Sequence, residues 1–314
     1  MNYTYVNSQI KVIEESILDK NDFLKLSKVS KNEFLKTLVD LGYGSSGDSL
    51  EKIINNELYN IKKHLDEVSP KKEHTDLFFL LDDAVNIKYL YKLKTFKLRD
   101  ASMFLNRGNF LEADLRSAIL ENDYSAFNKD YTKLLTNIEK NVSHITDPRV
   151  LSGLIDSMIY DFILKKVRLT FNEPLSTYFK TRIDFSNILS FVRIKNLHWK
   201  FEDNKEMFIS GGNISVKVIE DLFNLKDEDV IRSLQPYYNE ELSKILDDFY
   251  KTKDLNILEI KLDRLQLKLM RPFKDDAFGI GIIMYYYLKK LAEAKNIRYI
   301  YANPDIDIDN LLEY

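Results

Sequence analysis

Asp184-Phe185-Ser186-Asn187-Ile188-Leu189-Ser190-Phe191-Val192-Arg193 sets an acid and an amide three residues apart inside an apolar run. On a helix, residues three apart share a face, so the acid can bond its Asn amide while the following Ile turns into the core. The same acid-x-x-Asn-Ile pattern recurs at Asp83, Asn86 and Ile87 and at Glu293, Asn296 and Ile297, at intervals of 101 and 109 residues. It also occurs out of register at Glu57, Asn60 and Ile61, so its surroundings must carry the repeat. An acid precedes the three motifs by 26, 28 and 30 residues, at Glu57, Asp156 and Asp263. Each motif also follows aromatic residues: Phe78 and Phe79, Tyr178 and Phe179, then Tyr285 to Tyr287. Gly108-Asn109-Phe110 and Gly212-Asn213-Ile214 come after the first two motifs, and Asn21-Asp22-Phe23 reads as their counterpart near the start. The economical reading is three diverged helical copies over residues 1–105, 106–208 and 209–314. Solenoid units run to about 20 to 50 residues, so copies this long predict pseudo-threefold symmetry in place of an open superhelix.

Outward from the motifs the chain reads as helix throughout. Only 9 Gly and 6 Pro interrupt 314 residues rich in Leu, Ile, Lys, Glu and Asp, which predicts an all-α class. Apolar residues return every three or four positions, as in Val6, Ile10, Ile13, Ile17 and in Phe34, Leu35, Leu38, Leu41. Asp22, Ser30 or Asn32, Asp147 and Asp227 are the candidate N-caps, with Pro148 suited to a first turn. Met1 to Lys20 reads as one helix, without the basic start and unbroken apolar segment of a signal peptide. Breaks are expected at Gly42 to Gly47, Ser69-Pro70, Arg107 to Asn109 and Ser210 to Asn213. Asp305, Asp307, Asp309 and Glu313 read as a solvated acidic end.

Several function classes lose their footing. Lys and Arg total 46 against 49 Asp and Glu, a net charge of −3, so no global field draws nucleic acid. The absence of cysteine removes disulfides, thiolate metal sites and a thiol nucleophile, and agrees with a reducing cytoplasm. Ala277 to Leu288 is a charge-free stretch of 12 residues, short of the roughly 20 a spanning helix needs, so no bilayer insertion is expected. The Gly42 to Gly47 loop lacks the Gly-Lys-Ser/Thr ending of a phosphate cradle. His64, His74, His144 and His198 are scattered, and paired acids such as Asp82-Asp83 point apart on a helix, so no catalytic, metal or cofactor-binding residues are expected. The run Lys88, Lys92, Lys94, Lys97 and Arg99, with Tyr89, Tyr91 and Phe96 beside it, reads either as a solvated helix face or as a docking surface for an acidic protein, with nucleic acid disfavoured by the overall charge. Asp83, Asn86, Asp184, Asn187, Glu293 and Asn296 read as architectural residues, and Gly108, Gly211 and Gly212 as turns at a docking end.

Three stretches resemble the C subunit of bacterial and archaeal V/A-type ATPases, a family related to the d subunit of the eukaryotic V-ATPase. Tyr5 to Lys11 running into Leu18 to Phe23, and on to Leu38 to Tyr43, is similar to the family's opening helix, turn and following helix. Asp83 to Lys88 and Asp184 to Arg193 are similar to its recurrent Asp-x-x-Asn helices. Arg271-Pro272-Phe273, Tyr285 to Leu288 and Glu293 to Ile300 are similar to its closing helix. Arg298 stands where the other copies have Lys88 and Leu189, so the three positions are not expected to share one contact. The resemblance implies three helical domains forming a funnel. It further implies a non-catalytic rotor component that joins the central-stalk subunits to the membrane rotor ring, coupling ATP synthesis or hydrolysis to proton or sodium transport. Such a component sits on the cytoplasmic face of the membrane through its complex. Two rival expectations are a helical scaffold that binds peptides and a helical hydrolase with intrinsic turnover.

Overall fold

The computed structural model describes residues 2–44 and 49–314, and every regular element among them is helical. In chain order the α-helices are α1 (Tyr3–Ile13), α2 (Lys20–Lys28), α3 (Lys31–Asp40), α4 (Leu50–Val68), α5 (Lys72–Phe96), α6 (Glu112–Arg116), α7 (Lys129–Val142), α8 (Pro148–Thr170), α9 (Glu173–Asn196), α10 (Val216–Leu222), α11 (Asp227–Leu234), α12 (Glu241–Thr252), α13 (Leu255–Met270) and α14 (Gly281–Ala302).

The N-terminal stretch is not one helix. Residues 14–16 tighten to a 3-10 turn, Ile17 is extended, and Asp19 opens α2 by accepting the backbone N–H groups of Asn21 and Asp22. The Asp22 carboxylate accepts the Asp19 N–H from the third helical position, so the N-cap lies three residues before the expected Asp22. Asn21, Asp22 and Phe23 accordingly form the first turn of α2 and do not end a helix. Asp147 caps α8 as expected, with Pro148 in the first turn. Ser30 holds the N-cap position of α3, but its hydroxyl donates to Glu33 at 3.0 Å and takes no backbone N–H, and Lys226 takes the cap before α11, where Asp227 becomes the first residue. The breaks at Ser69-Pro70, Arg107 to Asn109 and Ser210 to Asn213 are present; Ser45 to Asp48 of the remaining connector lie outside the described residues.

Contacts divide the chain into two compact units, residues 1–75 with 263–314 and residues 76–262. In the first, α14 is the central element, packed by α1, α2 and α4. Its residues Gly281 to Leu288 are buried on all sides, which is why the sequence there lacks a polar face. In the second unit α8 packs on α7 and α9, α9 meets α10, and α11 meets α12. The turn at residues 205–207 presses on α8 at Gly153, where a Cβ would overlap the Glu206 carbonyl. Helix α9 is also buried around its circumference, with Tyr178, Phe179, Ile183, Phe185, Ile188, Phe191 and Val192 in the core. The motif acids and amides thus occupy two central helices and α5, where a polar side chain requires a partner.

Candidate functional site

The structure gives the motif residues one shared task, which is to hold an incoming loop by its backbone. Asn187 donates to the Ile209 carbonyl and accepts the Ile209 N–H, both at 2.8 Å. Asn86 makes the same pair with Leu105 at 2.9 and 2.8 Å, and Asn296 with Leu312 at 2.9 and 2.8 Å. Asp184 accepts the N–H groups of Asn213 at 2.9 Å and Ile214 at 3.0 Å, and Asp83 those of Asn109 at 2.8 Å and Phe110 at 3.2 Å. The expected bond between the acid and its own Asn is therefore replaced: both face a loop whose backbone groups would otherwise be buried unpaired. All six motif side chains have 0 or 1% of their surface exposed.

The third acid differs in reach and in company. Glu293 accepts a single backbone N–H, from Leu18, at 2.7 Å. Phe110, Ile214 and Leu18 each stand two residues before a helix, namely α6, α10 and α2, so Leu18 and not Asn21 to Phe23 is the counterpart. Two residues earlier the first two loops carry Gly108 and Gly212, where a Cβ would overlap the carboxylates of Asp83 and Asp184. The third carries Ser16. Gly211 has φ +102°, a left-handed conformation that glycine adopts freely, and a Cβ there would overlap Leu164. Gly108 is buried, Gly212 half-buried and Gly211 exposed, so only Gly211 of the three docking candidates lies open to solvent.

Burial pushes the Asp184 carboxyl above its ordinary value, against the pull of the Tyr238 hydroxyl and the two backbone donors. Tyr238 donates to Asp184 and accepts from the Asn213 amide at 3.0 Å. It begins three consecutive left-handed residues, Tyr238, Asn239 and Glu240, and burial beside the Asp184 charge drives its phenol upward. Glu293 is likewise pushed up by burial, opposed first by Lys290. Lys290, 2% exposed, pairs with Glu293 and with Glu57 at 2.9 Å and lies 4.8 Å from the Tyr43 ring centroid. Nothing in the repeat pattern marked Tyr238 or Lys290, since Leu80 and Thr181 occupy the places corresponding to Lys290. Asn7 was also missed: buried on α1, it donates to the carbonyls of Asp276, Ala277 and Gly279 at 3.0 to 3.2 Å. That loop carries Phe278, 84% exposed.

The cations five residues beyond each acid do find a common use in two copies. Lys88 holds Asp156 on α8 at 2.7 Å, and Arg298 holds Glu51 on α4 at 2.7 and 2.8 Å. Leu189 cannot do this, and Arg193, one turn on, stands 3.8 Å from Glu259 on α13. The basic run is partly drawn inward, since Lys94 pairs with Glu139 at 2.9 Å while Lys97 and Arg99 remain in solvent. The acidic end is solvated only in its side chains. Arg264 holds the carbonyls of Asp309 and Leu311, Leu311 and Leu312 are buried, and Tyr314 donates to the Leu18 carbonyl at 2.9 Å. Among the described residues no helix is long and apolar enough to cross a membrane.

The family model of the ATP synthase (C/AC39) subunit matches residues 6–302. The chain is 23% identical to the A-type ATP synthase C subunit of Methanococcoides burtonii over 337 aligned positions, covering 98% of this chain and 92% of that protein. It is 22% identical to the protein of the same name in Pyrococcus abyssi, covering 95% and 85%. The corresponding protein of Methanosphaera stadtmanae is 21% identical, with 95% and 83% covered.

Proposed function

We propose a mechanical role for this chain, which belongs to the ATP synthase (C/AC39) subunit family, its matched region running over residues 6–302. The chain is an accessory component of a rotary ATP synthase or ATPase. Its finer role is to join the central-stalk subunits to the membrane rotor ring and turn with both, so that ATP chemistry elsewhere in the complex couples to proton or sodium transport. It sits peripherally on the cytoplasmic face and is not itself an enzyme. The observation that carries this reading is similarity along nearly the whole length of relatives that are named as the C subunit of A-type ATP synthases.

The clamps fit such a duty. A torque-transmitting part must not yield at its loops, and backbone held at both its N–H and C=O by a buried amide has little freedom to do so. Three related bundles, near 1–105, 106–208 and 209–314, remain our reading of the repeat, supported by one hydrogen-bond pattern at all three motifs. Through the bond from Leu18 to Glu293, the third clamp closes on a loop drawn from the span of the first copy. We place docking at the turns around Gly108, Gly211 and Gly212, with the exposed Phe171 as an apolar anchor.

Mixing the purified chain with detergent-solubilised rotor ring and with the central-stalk pair tests the role. One sedimenting complex containing all three is expected. Loss of either pairwise half would overturn it, and cross-links that place these turns away from both partners would overturn the docking site alone.

A further inference from the structure

A pocket of about 280 Å³ opens in the second unit between α5, α8 and α9, lined by Lys92, Arg149, Ser152, Asp156, Ser186 and Ser190 together with apolar and small residues. Its charges are mostly compensated. Asp156 is neutralised by Lys88 at 2.7 and 2.9 Å, and Arg149 holds Asp147 at 2.7 Å while lying 4.4 Å from the Trp199 ring centroid. Lys92 is left with no ion pair or hydrogen bond among the described residues, so the pocket keeps one uncompensated positive charge. Burial and the neighbouring Lys88 hold its ammonium below the ordinary lysine value, opposed by Asp156. An unpaired, partly desolvated ammonium of that kind is stabilised by an anion.

The hydroxyls point the same way. Ser152 uses its hydroxyl on the Pro148 carbonyl at 2.9 Å, the usual helical back-bond. Ser186 and Ser190, one turn apart on the same face of α9, make no such bond, and both line the pocket. The first turn of the 23-residue helix α8 forms another wall, through Pro148, Arg149 and Ser152, adding the positive end of a long helix. Free donors thus come from two helices, with a surplus of one positive charge and with the only carboxylate already paired.

We propose that this pocket binds a phosphate-class oxyanion, held by Lys92 and the hydroxyls of Ser186 and Ser190. A tetrahedral oxyanion offers oxygens in several directions and suits donors arriving from separate helices, and the remaining volume holds several waters at about 30 Å³ each. The oxyanion is either free inorganic phosphate or the phosphate of a nucleotide or lipid headgroup. The site is independent of the rotor role and stands or falls separately.

Lysine acetylation footprinting of the full chain, read by mass spectrometry at fixed ionic strength, tests it. Inorganic phosphate is expected to protect Lys92 saturably, at least about tenfold in rate, while exposed Lys97 stays reactive and chloride gives no protection. Lys92→Met, and separately Ser186→Ala with Ser190→Ala, are expected to abolish or weaken by at least about tenfold the saturable rise in melting temperature that phosphate gives the native chain. Parallel arms with ADP and with phosphatidylglycerol vesicles identify the source, since protection by one of them at far lower concentration than by phosphate assigns the oxyanion to it. Equal acetylation of Lys92 with and without all three probes, or phosphate stabilisation that survives Lys92→Met unchanged, overturns the proposal.

Discussion

Glu293 accepts the backbone N–H of Leu18 at 2.7 Å, a bond between positions 275 residues apart. The other two acids reach only 26 to 30 residues downstream, to the loop that follows their own helix. In the third copy the loop is assembled from two remote pieces: Asn296 holds Leu312, Glu293 holds Leu18, and Tyr314 closes the seam by donating to the Leu18 carbonyl. Bringing such distant segments together costs closure entropy that the two local clamps avoid. The buried Lys290 supplies what the lost second backbone donor would have given.

Asn187→Ala removes both bonds to Ile209 and leaves a buried N–H and C=O without partners. The expected loss is about 2 to 4 kcal/mol, from the desolvation of two orphaned groups. Urea unfolding followed by circular dichroism measures it, and a loss under about 1 kcal/mol would mean the loop is not held by this side chain.

Gly212→Ala forces a methyl into the Asp184 carboxylate. A cost of about 1 to 3 kcal/mol is expected, as for other overpacked sites. The sharper measure is a double-mutant cycle. In an Asp184→Ala background the obstructing oxygen is gone and only Ile183, 3.2 Å from the added methyl, still crowds it, so the added cost of Gly212→Ala should fall markedly, and full additivity would contradict the contact.

Lys290→Met leaves Glu57 and Glu293 facing each other without their shared cation. Breaking a buried pair in this way costs about 3 to 5 kcal/mol. Adding Glu293→Gln should recover part of that loss, because the neutral amide removes the repulsion and the more deeply buried of the two charges, while Glu57 remains partly exposed. Thermal unfolding of the single and double variants decides, and failure of Glu293→Gln to recover stability would place the cost in lost packing instead.

Much of this was legible in residues and some was not. The three motifs, the helices that carry them and the glycines just before the clamped loop residues could be read because they repeat. What the acids and amides bind could not, since their partners are backbone groups, which leave no mark in sequence. Asn7 and Tyr238 act once each and have no periodic signal. The acidic end misled for a related reason: its Asp residues do face water, yet Leu311 and Leu312 anchor the backbone between Arg264 and Asn296. The pattern also placed the third loop at Asn21 to Phe23, because matching Asn and Phe outweighed the position of the helix start that fixes Leu18.

Asp184 gives the chain a pH dependence whose sign follows from its burial. Its folded carboxyl titrates above the ordinary aspartate value of 3.8, so between that value and the raised one the folded state carries more protons than the unfolded state. Unfolding then releases protons, and stability falls as pH rises through this window and levels off above it. Glu293, raised by burial in the same direction, adds to the slope from its own ordinary value of 4.5. Asp184→Asn abolishes one of the two contributions while keeping an oxygen to accept from Asn213 or Ile214. Denaturant midpoints measured from about pH 4 upward, a range set by the ordinary aspartate value, should therefore decline less steeply in Asp184→Asn than in the native chain. The reverse ordering, with the native chain flat and the variant sloping, would show that the backbone donors and the Tyr238 hydroxyl outweigh burial and hold the folded carboxylate charged.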